Sequence, residues 1–174
     1  MPVHPPLGAP ALHAQAAPLP SAAFSIRPAC RGDVPAIAAL AEQFAQHMRE
    51  LGDTTPLGLD ATALERDGFG PDPAFRGLVA ECDAQVVGYL LHHPGYDTDT
   101  ARRLLFIVDL FVSPSARGLG IGAALVEAAR QIAADATAAQ LVWTVGRRNT
   151  GALQFYKSLG AQSVEALELM CLDV

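Results

Sequence analysis

The chain has 174 residues, 51% of them hydrophobic and 17% charged, which suits one domain with a sizeable core. Twelve Lys and Arg against eighteen Asp and Glu leave a net charge of −6, arguing against a nucleic-acid partner, whose phosphates need clustered basic side chains. No apolar run reaches the roughly 18 residues of a membrane span, and Cys30, Cys82 and Cys171 lack any zinc or disulfide spacing. They read as reduced thiols of a cytoplasmic protein, and no metal site is expected.

Residues 1–22 are broken by Pro5, Pro6, Pro10, Pro18 and Pro20. They read as a disordered Ala/Pro tail; a secretory leader would have a basic start and an unbroken apolar centre. A single domain is expected over 23–174. It opens with a strand from Phe24 to Ala29, and Asp33 is placed to cap a helix that takes Pro35 in its first turn. Val34, Ile37, Ala41, Phe44 and Met48 recur at helical spacing as that helix's buried stripe. A loop from Gly52 to Leu59 and a short helix from Asp60 to about Asp67 follow.

Two strands come next, Gly77 to Glu81 and Gln85 to His92, joined by a tight turn at Cys82-Asp83-Ala84. His93 to Thr100 reads as a polar loop. Leu104 to Val112 is an apolar run with one acid, Asp109, inside it, as in a central strand covered on both faces. Ile121, Ala124, Leu125, Ala128, Ala129 and Ile132 mark the next helix. A strand from Leu141 to Val145, a helix from Thr150 to Ser158 and a last strand from Leu167 to Leu172 complete the pattern. These elements predict an α/β (α+β) fold: one mixed, mostly antiparallel sheet flanked by helices.

Arg117-Gly118-Leu119-Gly120-Ile121-Gly122 lies between a strand and an amphipathic helix. Glycines there allow close backbone approach, and the free N–H groups of the loop and helix start make an anion site suited to a pyrophosphate. Arg117 can add a charge-assisted bond. Gly118, Gly120 and Ala123 also satisfy the dinucleotide pattern G-x-G-x-x-G/A, but the acid expected about 20 residues on is absent. A Walker loop would need Gly-Lys-Ser/Thr.

The segment from Arg117 to Gly122 matches the R/Q-x-x-G-x-G/A pattern of the GNAT superfamily of N-acetyltransferases. Asn149-Thr150-Gly151-Ala152, together with Phe155-Tyr156-Lys157-Ser158-Leu159-Gly160-Ala161, resembles a second segment of that superfamily. Ile26-Arg27-Pro28-Ala29, Asp67-Gly68-Phe69-Gly70 and Asp109-Leu110-Phe111-Val112 are similar to the diamine (spermidine/spermine) and thialysine acetyltransferase branch. The resemblance implies acetyl-CoA as co-substrate, a small-molecule amine as acceptor and a homodimer. It implies that Leu110, Phe111 and Val112 offer main-chain groups to the pantetheine arm, at a bulge that splays their strand from its neighbour. It places Gly118, Leu119, Gly120, Ile121, Gly122 and Ala123 around the pyrophosphate, with Arg117, Asn149 and Ala152 also against the cofactor. Tyr156 is implied as the acid that meets the departing thiolate.

The acceptor side departs from the branch, which commonly carries an acid where this chain has Val108. Asp109 and His92 are the candidates for contact with the acceptor, and the base is left open among these, His93 and a chain of waters. Two further readings stand beside the small-molecule one: a non-catalytic acyl-CoA sensor, and a protein acetyltransferase acting on lysine or an N-terminus.

Overall fold

Five strands form one sheet in chain order, β1-β2-β3-β4-β5, in the computed structural model, which describes residues 24–164 and 168–172. The Ala/Pro tail expected over 1–22 lies outside the described residues. Strands β1 (Phe24–Pro28), β2 (Arg76–Cys82), β3 (Gln85–Asp97) and β4 (Arg102–Val112) pair antiparallel. Only β5 (Gln140–Trp143) runs parallel, alongside β4. The mixed, mostly antiparallel sheet read from the sequence is therefore the one formed.

Helix α1 (Val34–Glu50) and α2 (Ala61–Ala63, continuing as a π-helical turn over Leu64–Gly68) cover one face. There Val34, Ile37, Leu40, Ala41 and Leu64 pack on Val79, Tyr89, Leu91 and Phe111. Helices α3 (Ile121–Asp135) and α4 (Thr150–Ser158) cover the other. Ile121, Leu125, Val126 and Ala129 of α3 meet Leu78, Ala80, Leu90, Leu105 and Ile107 there. Alternate residues of each strand thus feed two separate cores, as the period of two requires.

Three expectations about the strands are corrected. The loop read over His93–Thr100 is largely strand, because β3 runs on to Asp97 and Pro94 pairs with Leu105. Proline is tolerated there since β2 begins at Arg76, opposite His92, and leaves that end of β3 an edge. The last strand read over Leu167–Leu172 is not formed by its described residues, 168–172. These pair with no strand and leave Leu169, Met170 and Leu172 exposed, whereas Leu167 itself lies outside the described residues. Strand β5 stops at Trp143, short of the expected Val145.

Asp33 precedes α1 as expected, but its carboxylate does not cap that helix. It turns back to accept from Arg27 Nη1 (2.8 Å) and Nη2 (2.9 Å) and from the Cys30 N–H (2.8 Å). Arg27 also donates to Glu81 on the neighbouring strand at 2.8 and 3.0 Å, fastening β1, β2 and the start of α1 together. Hydrogen bonding to Arg27, outweighing burial, holds the Asp33 carboxyl down to about 2. Since the folded value lies below the unfolded one, the stabilisation is complete above about pH 4 and lost as pH falls through about 2. It is worth about 2 kcal/mol at neutral pH, the Asp33 side chain being only 8% exposed. Asp33→Asn is expected to lower stability by that amount at pH 7 and to flatten the acid limb between pH 4 and 2, as read by urea denaturation.

Candidate active site

Strands β4 and β5 pair from Leu104 opposite Gln140 to Ile107 opposite Trp143 and then part. Beyond that rung β4 continues without a strand on this side through Leu110, Phe111 and Val112; Leu110 and Val112 turn their main-chain groups outward, while those of Phe111 face β3. The parting coincides with a bulge. Leu91 of β3 faces Asp109 while His92 faces Ile107, so Val108 is the extra residue in β4. Val108 is turned outward and is 46% exposed. The bulge and splay implied by the resemblance are both present, and they meet within three residues.

The glycine loop lies just past the end of this unpaired edge. Gly118 and Gly120 adopt φ of +79° and +81°, the left-handed region that glycine enters without strain, and Gly120 caps α3. A side chain at either position would meet nothing within 4 Å, so open space stands over the loop. Leu119 is exposed, whereas Ile121 is buried and anchors the first turn of α3. Gly122 and Ala123 continue that turn, whose N–H groups point out of the helix start. Arg117 donates from Nε to the Val112 carbonyl (3.3 Å) and lies over the Phe111 ring, 5.7 Å from its centroid.

Helix α4 brings up the third component. Asn149 caps it, Oδ1 accepting from the Ala152 N–H at 3.1 Å, and its amide reaches Met48 Sδ at 3.9 Å. The Asn149 side chain and the Ala152 N–H are thereby committed to the helix start. Tyr156, two turns on, packs between Trp143 (centroids 4.8 Å apart) and Phe155 (5.1 Å). Trp143 is the last rung before β4 and β5 part, so Tyr156 is held beside the opening. Burial, helped by the Asp109 charge, pushes the Tyr156 phenol up to about 12. It stays protonated through the physiological range and is a donor there.

Asp109 is engaged on both oxygens. Oδ2 accepts from the Tyr89 hydroxyl and Oδ1 from the Leu110 N–H at 2.8 Å. Burial pushes its carboxyl above the ordinary range, against these two bonds. Tyr89, fully buried, gives no sign of this partnership in the sequence; only the register of β3 on β4 reveals it.

His92 goes elsewhere. It lies opposite Ile107 and alternates with Leu91, so it belongs to the face covered by α3 and not to that of Asp109 and Tyr89. It is 4% exposed, burial depresses its pKa, and its buried Nδ1 has no partner among the described residues. The structure does not bring His92 and Asp109 together.

Residues 38–161 match the Acetyltransferase (GNAT) family. The chain is 34% identical over 151 residues to a thialysine N-epsilon-acetyltransferase of Bos taurus, covering 82% of this chain and 86% of that one. It is 32% identical over 152 residues to the human spermidine/spermine N(1)-acetyltransferase-like protein 1, covering 83% of this chain but only 21% of that one. An integron cassette protein of V. cholerae shares the fold with a TM-score of 0.72 at 24% identity, over 87% of this chain and 93% of that one. No helix among the described residues is long and apolar enough to cross a membrane. With the family match spanning well over half its length, the chain belongs to the acetyltransferase (GNAT) family and is an acetyl-transferring enzyme.

Proposed function

We propose that this enzyme transfers the acetyl group of acetyl-CoA to the primary amine of a small molecule by direct attack in a ternary complex, with Tyr156 as general acid. The observation that carries the reading is the position of Tyr156. It is a protonated phenol packed on Trp143 at the rung where β4 and β5 part, with two left-handed glycines at the end of the unpaired edge. The GNAT family uses acetyl-CoA as its acyl donor, and the residues here fit it. Open space over Gly118 and Gly120, with Arg117 and the first turn of α3 beside it, suits a pyrophosphate. The Leu110 carbonyl and the Val112 N–H, which face the gap without a partner among the described residues, suit an amide-bearing arm lying there beside Phe111. Asn149 and Ala152, at the start of the helix that carries Tyr156, are proposed to meet the cofactor from α4.

When bound, acetyl-CoA supplies the thioester whose sulfur must leave as the amine attacks. Tyr156 then donates its hydroxyl proton at that sulfur, a service worth about 10²–10⁴-fold. A β4 main-chain N–H beside the bulge stabilises charge developing on the carbonyl oxygen. Asp109 positions that bulge by holding the Leu110 N–H, and the ammonium's proton leaves through water. A small amine is favoured by the relatives, one a thialysine acetyltransferase and another a spermidine/spermine acetyltransferase-like protein, and diamine- or thialysine-like molecules are the range to search. By the same resemblance the enzyme is proposed to act as a homodimer, and its free cysteines favour the cytoplasm. Initial rates measured with both substrates varied should give intersecting double-reciprocal lines. Parallel lines, the mark of an acetylated enzyme, would overturn direct attack.

A further inference from the structure

Tyr89 is fully buried beneath α1, in a core built from Ile37, Leu40, Leu64, Val79, Leu91 and Phe111. A phenylalanine would fill the same space without burying an O–H, which is costly unless it is partnered. Register supplies the partner. Leu91 faces Asp109 and Tyr89 faces Phe111, so these four residues share one side of the sheet. The Tyr89 hydroxyl donates to Asp109 Oδ2, and the other oxygen of that carboxylate accepts from the Leu110 N–H at 2.8 Å. Leu110 belongs to the stretch of β4 that runs on after β5 has parted from it. One carboxylate therefore ties a hydroxyl deep in the core to the main chain at the edge of the gap.

Two donors on this carboxylate favour its ionised form, against the burial that disfavours it. Tyr89, pushed up by burial and then by the Asp109 charge, keeps its proton and stays a donor. The Tyr156 phenol, carried by α4, feels the same charge. The core residues that α1 and the π-helical turn bring to this side, Val34, Ile37, Leu40, Ala41 and Leu64, are apolar. No cation or second carboxylate among the described residues acts on Asp109. Without the Tyr89 hydroxyl the carboxylate keeps one donor and binds a proton more readily. The resulting O–H finds no acceptor in the apolar core, and the carboxyl loses its fixed orientation against the Leu110 N–H.

We infer that Tyr89 is a positioning residue for the acyl transfer proposed above, on which this rests: its hydroxyl holds Asp109, and Asp109 holds the Leu110 main chain at the edge of the gap in the arrangement the reaction uses. With no exposed surface, Tyr89 itself touches neither substrate.

The test is Tyr89→Phe, which removes the hydroxyl and keeps the ring. The Asp109 carboxyl, followed by carbon-13 NMR, should titrate about one to two pH units higher in the variant. Rates are read by thiol release from acetyl-CoA with the best acceptor among thialysine, spermidine and simple diamines. The ratio of variant to wild-type kcat/KM cancels the acceptor's own ionisation. It should lie within about threefold of unity at pH 9 and fall a further fivefold or more, roughly, by pH 5. A tyrosine that only fills the core would give one ratio at every pH. In an Asp109→Asn background, which has no titrating carboxyl, adding Tyr89→Phe should change the rate by the same factor at both pH values. An unshifted Asp109 titration, or a ratio flat from pH 9 to 5, would overturn the inference while leaving acyl transfer standing. A wild-type enzyme that releases no thiol with any small amine would overturn the acyl-transfer reading, and the inference with it.

Discussion

Tyr156→Phe is expected to lower kcat for acetyl transfer by about 10²-fold or more, with KM for acetyl-CoA changed less than threefold and no loss of thermal stability. The ring stays, so its packing against Trp143 and Phe155 stays with it. Only the hydroxyl goes, and with it the proton that meets the departing sulfur. The pH profile should show the same division of labour. With the phenol pushed up to about 12, Tyr156 remains a donor well into the alkaline range. In the wild type, kcat/KM should rise with pH as the acceptor ammonium deprotonates, with no falling limb from the tyrosine below about pH 11. In the variant the rising limb should persist at a lower plateau. A variant with unchanged kcat would return Tyr156 to the role of a packing aromatic.

Gly120→Val is expected to weaken acetyl-CoA binding by ten- to a hundredfold. The backbone there is at φ +81°, and a β-branched residue in that region costs about 1–2 kcal/mol or more, so the loop and the first turn of α3 must rearrange. Nothing within 4 Å would collide with the new side chain, so the loss comes from the loop backbone and not from a damaged core. Gly58→Val is the matched control: its surroundings are equally open, and its φ lies outside the left-handed region. It should leave acetyl-CoA affinity within twofold by calorimetry. Equal losses in both variants would remove the special role assigned to the loop.

Much of this architecture was legible in local sequence. Helix α4 falls at Thr150–Ser158 as read, because Asn149 is a cap residue and Gly160 stops the next turn. The glycine loop was legible because left-handed backbone and an open helix start demand small residues in a fixed order. Elements that depend on neighbours were not. Pro94 and Gly95 look like a loop, and they form strand only because β4 pairs with them where β2 no longer reaches. The alternation over Leu167–Leu172 looks like a strand, yet an alternating segment becomes one only when an edge accepts it, and residues 168–172 find none. The Tyr89–Asp109 bond spans twenty residues and exists by register alone. The outward turn of Val108 follows from the bulge, which no single residue announces. His92 shows the converse. Its place at the end of an apolar strand suggested an acceptor contact, and strand alternation sends it to the opposite face, under α3.

The measurement that bears most directly on the central claim is thiol release from acetyl-CoA by the purified protein. The panel would hold phenethylamine, diamines, spermidine, thialysine, free amino acids and a lysine-containing peptide, with Tyr156→Phe run in parallel. The account predicts release with at least one small amine, little with the peptide, and loss of about 10²-fold in the variant. Release confined to the peptide, or release equal in the two proteins, would contradict it.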